Sequence, residues 1–112
     1  MAATGQNFEI YQGEYKVLRM LITDDNDLPA NLAGADITWV MYRQTSKEII
    51  LTKTLVSGIS IISSGIIDIV LNPIDTTNLV VQQLNHECKI VDLIGPSVVS
   101  VGRISILDSV ID

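Results

Sequence analysis

At 112 residues the chain is long enough to bury one core without staples and too short to hold a second domain. Its hydrophobic fraction is 47%, with 17 Ile, 11 Val and 8 Thr against only 5 Ala, a composition suited to strands. A net charge of −6 argues against the basic footprint of a nucleic-acid binder, and one cysteine, Cys88, excludes an internal disulfide.

Residues 1–7 are small and polar and read as a flexible or partner-bound arm, with residues 8–112 forming a single domain. The opening residues lack the charged and apolar regions of a signal peptide, and the longest uncharged run, residues 54–67, is broken by serines and glycines; neither export nor a membrane partner is expected. Residues 8–12 alternate briefly and stop at Gly13, which predicts an edge strand and a bend. Residues 15–23 form a second strand whose two parities are both largely apolar, and Val17 is assigned to the core. Asp24, Asp25, Asn26 and Asp27 then make a turn, because Asp and Asn hydrogen-bond their own backbone and tolerate left-handed geometry.

The segment over residues 36–43 carries the strongest signal. Ile37, Trp39, Met41 and Arg43 alternate with Asp36, Thr38, Val40 and Tyr42, the period of a half-buried strand. Trp39, the only tryptophan, falls mid-strand and is expected at the centre of the core with Ile37 and Met41 beside it. Further strands follow at residues 49–55, 59–62 and 66–71, the last two joined by a turn through Ser63, Ser64 and Gly65. Pro73 ends that run, and Asp75 is the expected N-cap of a single helical turn. Two strands, residues 86–93 and 98–107, close the chain through Gly95 and Pro96. The spacing predicts an all-β fold, an antiparallel immunoglobulin-like β-sandwich of about 7–8 strands.

Candidate chemistry is thin. His86 and Cys88 are the only imidazole and the only thiol, two apart on a strand and so on one face; in a core-forming strand Cys88 reads as a small hydrophobic packing group and His86 as an edge residue. No second His or Cys completes a zinc set, and the Asp24–Asp27 cluster lacks the alternation of a calcium loop. Gly102–Arg103 inside a strand reads as a bulge or a close backbone approach. Tyr11, Tyr15 and Tyr42 are too few for a sugar platform. No catalytic residue, cofactor or metal is therefore expected. The apolar surplus points to burial against other subunits, and the weakly charged edge strand nominates Phe8, Ile10 and Gln12 as partner contacts.

Taken together, Phe8, Ile10, Tyr11, Gln12 and Gly13, the acidic turn, Leu28–Pro29, and Asn31, Leu32, Ala33 and Gly34 entering the Trp39 strand resemble the opening of small immunoglobulin-like domains of tailed-bacteriophage virion proteins. Those domains include the N-terminal domain of siphophage upper baseplate proteins and the sandwich domains of tail collars and long tail fibres. Residues 66–71 followed by Pro73, Asp75, Thr76, Thr77 and Leu79 match their later half, and the resemblance spans residues 8–107. It departs at residues 82–88, where relatives carry glycine and aromatic residues. The resemblance implies a non-enzymatic structural subunit of a phage particle, in tail, baseplate, collar, fibre attachment or capsid decoration. Such a subunit is made in the bacterial cytoplasm and located in the virion, and it contacts copies of itself as a homo-oligomer and other virion proteins. The alternative is a carbohydrate-binding or adhesion module.

Overall fold

Alternation of apolar and polar residues becomes nine strands among the described residues of the computed structural model, which describes residues 2–3, 7–93 and 95–108. In chain order these are β1 (Ala2–Ala3), β2 (Phe8–Tyr11), β3 (Lys16–Thr23), β4 (Asp36–Tyr42), β5 (Ile49–Thr54), β6 (Ile59–Ser63), β7 (Ile66–Leu71), β8 (Gln82–Val91) and β9 (Pro96–Leu107). One helical turn, α1 (Pro73–Thr76), separates β7 from β8. The fold is all-β with two sheets, one of four strands in the order β1-β3-β7-β6 and one of five in the order β2-β9-β8-β4-β5.

The expectation of a wholly antiparallel fold is corrected at one pair. β2 runs parallel to β9, with Phe8 opposite Ile104 and Tyr11 opposite Leu107, so the five-stranded sheet is mixed. The first long segment pairs with the last one, a contact between chain ends that no local turn signal encodes. Of the expected N-terminal arm, Met1 and residues 4–6 lie outside the described residues. Ala2 and Ala3 pair antiparallel with Thr23 and Ile22, and the Asn7 carboxamide oxygen accepts the Arg103 backbone N–H at 3.1 Å.

Both sheets face one shared core. β3 supplies Leu18, Met20 and Ile22, and β7 supplies Ile67, Ile69 and Leu71. From the other sheet come Ile37, Trp39 and Met41 of β4, Leu84, Cys88 and Ile90 of β8, and Ile104 and Ile106 of β9. Val17 is corrected: it lies on the outward parity of β3 and is 39% exposed. Because both parities of that strand are apolar, only the register against β7 decides the face, and it turns Val17, Arg19 and Leu21 outward beside Val70, Asp68 and Ile66. There Arg19 forms a two-pronged pair with Asp68, at 2.7 and 2.8 Å. The hydrogen bond from Arg19 holds the Asp68 carboxyl below the ordinary carboxylate range.

Two local expectations change. The N-cap of α1 is Asn72, with Pro73 in the first turn where its missing N–H costs nothing, and Asp75 stands three residues inside. The irregularity in β9 falls at Val99, not at Gly102. Cys88 opposes Ser100 while Lys89 opposes Val98, so Val99 is the extra residue, and Val99 and Ser100 both turn inward. Gly65 sits in the β6–β7 turn at φ +73, where a Cβ would lie 2.5 Å from the Ile22 carbonyl oxygen, so the close approach of that turn to β3 requires glycine.

Candidate functional site

The inward rows of the five-stranded sheet are unusually polar for a core. One row runs Lys53, Trp39, Cys88, Ser100 across β5, β4, β8 and β9, and the adjacent row runs Leu51, Met41, His86, Gly102. Strand alternation places His86 and Cys88 on one face, as the sequence predicts, but His86 is wholly buried on the middle strand and not the edge residue expected. The indole N–H of Trp39 donates to His86 Nδ1 at 3.2 Å, so that nitrogen presents a lone pair to the core. Phe8 lies tilted over the imidazole at a centroid distance of 5.3 Å, while the β9 position opposite His86 is Gly102, which places no side chain in the row. Burial, with a smaller contribution from Glu87, pushes the Cys88 thiol up to about 12. A thiol so held stays protonated at neutral pH and is a small packing group, not a nucleophile. The Ser100 hydroxyl, buried in the same row, has no hydrogen-bond partner among the described residues.

Lys53 and Asp75 form a contact that reading the sequence missed. Lys53 Nζ meets Asp75 Oδ2 at 2.9 Å, with side chains only 9% and 11% exposed. The same carboxylate oxygen accepts the Asn72 backbone N–H at 2.8 Å. The lysine stem passes over Gly58, where a Cβ would lie 2.5 Å from its Cδ and where the backbone sits at φ +103. An edge strand of one sheet is thereby tied to the helical turn that leaves the other. The available signal was Lys53 itself, the one charge on the apolar parity of residues 49–55.

Other sequence candidates resolve into structural roles. Asp24 Oδ1 accepts the backbone N–H groups of Asn26 and Leu28 at 2.8 and 3.1 Å, closing the acidic turn on itself. Among the described residues, no three His, Cys, Asp or Glu side chains gather to hold a metal ion, and no helix is long and apolar enough to cross a membrane. Of the residues nominated as partner contacts, Ile10 is wholly buried in the core and Phe8 packs against it. Gln12 donates its side-chain amide to the Leu79 carbonyl, beside a Gly13 N–H bond to Thr76 Oγ1 of 2.9 Å. Those three share the inward parity of β2 and its continuation; the outward positions are Glu9 and Tyr11.

What the fold leaves on its surface is an apolar-rich sheet face. On the outer side of the five-stranded sheet, Thr38, Val40, Ile49, Glu87, Lys89 and Val91 line an open depression of about 370 Å³. Val98 and Val101 of β9 continue it, since the bulge at Val99 keeps both outside. Compared with protein-family models and with curated proteins, the chain finds no match.

Proposed function

We propose that this chain is a non-enzymatic structural subunit of a bacteriophage particle, an immunoglobulin-like sandwich that acts through contacts with copies of itself and with other virion proteins. The observation that carries the fold half of this reading is the strand order. The orders β1-β3-β7-β6 and β2-β9-β8-β4-β5 support it: with β2 set aside, they run in the sequence A-B-E-D and G-F-C-C′ of a variable-type immunoglobulin sandwich. A buried Trp39 on β4 lies directly opposite Cys88 of β8, as the core tryptophan and second cysteine do in that architecture. The functional half is supported by a protonated, buried thiol, a histidine engaged by an indole, and ample apolar surface among the described residues. The phage assignment itself rests on the resemblance carried by residues 8–34 and 66–79.

Quantitative mass spectrometry of purified phage particles from the source culture tests it. The chain should be present in many copies per particle and remain after density-gradient purification. Its absence from intact particles would remove the virion assignment, and a specific glycan bound in an array screen would favour the adhesion alternative.

A further inference from the structure

The outer face of the five-stranded sheet carries a charge pattern that is complementary to itself. Glu87 and Lys89 sit two residues apart on β8, the middle strand of the five, both directed outward, and neither forms an ion pair within the chain among the described residues. Val40 and Val101 flank Glu87 in register, and Thr38 and Val98 flank Lys89. Val98 and Val101 are 52% and 56% exposed. A pair of opposite charges two residues apart at the centre of this face defines a direction along the strand.

We propose that this face binds a second copy of the same chain about a two-fold axis that crosses β8 at the level of Cys88. The operation follows from the register. A two-fold axis lying between the facing outer surfaces of the two copies, parallel to those surfaces and perpendicular to β8, reverses the strand, so Glu87 of one copy meets Lys89 of the other, twice per dimer. It carries the row Val40, Glu87, Val101 onto the row Thr38, Lys89, Val98, so Val101 packs on Val98 and Val40 on the methyl of Thr38. Every central position thus faces either an opposite charge or an apolar group. A partner of different sequence would need to reproduce the same dipole and the same apolar rim; a second copy supplies both without further assumption. The inference deepens the building-block reading by naming one face, and its failure leaves incorporation into particles untouched.

Sedimentation equilibrium of the full chain at low salt, over micromolar to millimolar concentration, tests the pairing. Glu87→Lys and Lys89→Glu each place like charges opposite one another twice per dimer and should weaken self-association about tenfold or more. The double exchange Glu87→Lys with Lys89→Glu restores complementarity and should recover the wild-type association constant. Raising the salt should weaken the wild type and the double variant alike. Val101→Asp, at an exposed position, should abolish pairing while circular dichroism and thermal melting confirm that each variant is folded. A wild-type chain that stays monomeric throughout overturns the proposal. So does a folded double variant that associates no better than the single ones, which would place any self-association on a different surface.

Discussion

Removing the Asp75 carboxylate is the sharpest test of how the two sheets are held together. In Asp75→Ala, Lys53 loses the oxygen it meets at 2.9 Å while its ammonium remains in a site where the side chain is 9% exposed. Breaking a buried ion pair from one side costs about 3 to 5 kcal/mol, because the surviving charge is left without compensation. The Asn72 N–H loses its acceptor as well, a capping loss of about 1 kcal/mol. These losses share one carboxylate and do not add in full, and the lysine can recover some hydration, so the expected cost is about 3 to 4 kcal/mol. Against a total stability of about 5 to 15 kcal/mol, that is a large fraction. Urea melts followed by the fluorescence of the single tryptophan, Trp39, read it directly. Lys53→Met should cost about 2 kcal/mol, since Asp75 keeps the Asn72 bond, and adding Asp75→Asn to Lys53→Met should cost little more. Closed with Asp75→Asn alone, which strands the Lys53 charge at a cost of about 3 kcal/mol, the cycle of matched single and double variants yields a coupling of about 2 to 3 kcal/mol. A cost for Asp75→Ala below about 1 kcal/mol, or a coupling indistinguishable from zero, would show that the pair is solvated and does not join the sheets.

Trp39→Ala should cost about 3 to 5 kcal/mol in the same melts, and Trp39→Phe about 1 to 3 kcal/mol, because the indole N–H that His86 Nδ1 receives is lost while the ring is largely kept; a silent Trp39→Phe would mean that this hydrogen bond contributes nothing. For Cys88, native protein should resist alkylation at pH 8 and react on unfolding. Its folded thiol holds a proton up to about 12 against an ordinary 9.0, so the folded state binds that proton more tightly and the stabilisation, complete below pH 9, is lost as pH rises toward 12. Between pH 9 and 11 wild type should therefore lose about 2 to 3 kcal/mol more than Cys88→Ala, and parallel pH profiles would refute this. On β3, Val17→Thr should be within about 0.5 kcal/mol of wild type while Leu18→Ala costs about 2 to 5 kcal/mol; the reverse order would place the strand one residue out of register.

Most strands are legible because their apolar residues alternate. The Trp39 strand, expected over residues 36–43, runs Asp36–Tyr42, and the segment expected over 66–71 is Ile66–Leu71. Strand β8 begins at Gln82, four residues before its expected start, because a pair of glutamines carries no apolar signal although the alternation continues through Gln82 and Leu84. The two-residue β1 has no pattern at all; two alanines become a strand only because β3 offers them an edge. Faces are harder to read than strands. Where one parity is polar, as in β4, the inward residues follow at once, but in β3 both parities are apolar and Val17 could be placed only by its partner strand. The same limit hides the candidate surface: Val98 and Val101 are three apart and belong to one face solely because Val99 bulges.

The two ends of the five-stranded sheet bear on the proposed pairing of faces. An edge strand with free backbone groups invites another strand, and one protection is a charge turned toward the core, because an added strand would enclose it further. β5 carries such a charge in Lys53, fixed inward by Asp75 at 2.9 Å. At the opposite end β2 is four residues long and sets Glu9 between its two inward residues, so it is short as well as charged. In the other sheet, β6 has no charge but is five residues long and is interrupted between Ile61 and Ser63. Each of these edges is shortened, charged or bent, whereas the outer face of the five-stranded sheet keeps its valines exposed around an oppositely charged pair. On the pairing proposed above, a face closed by a two-fold axis limits association to a pair, whereas strand addition at an edge would be open-ended.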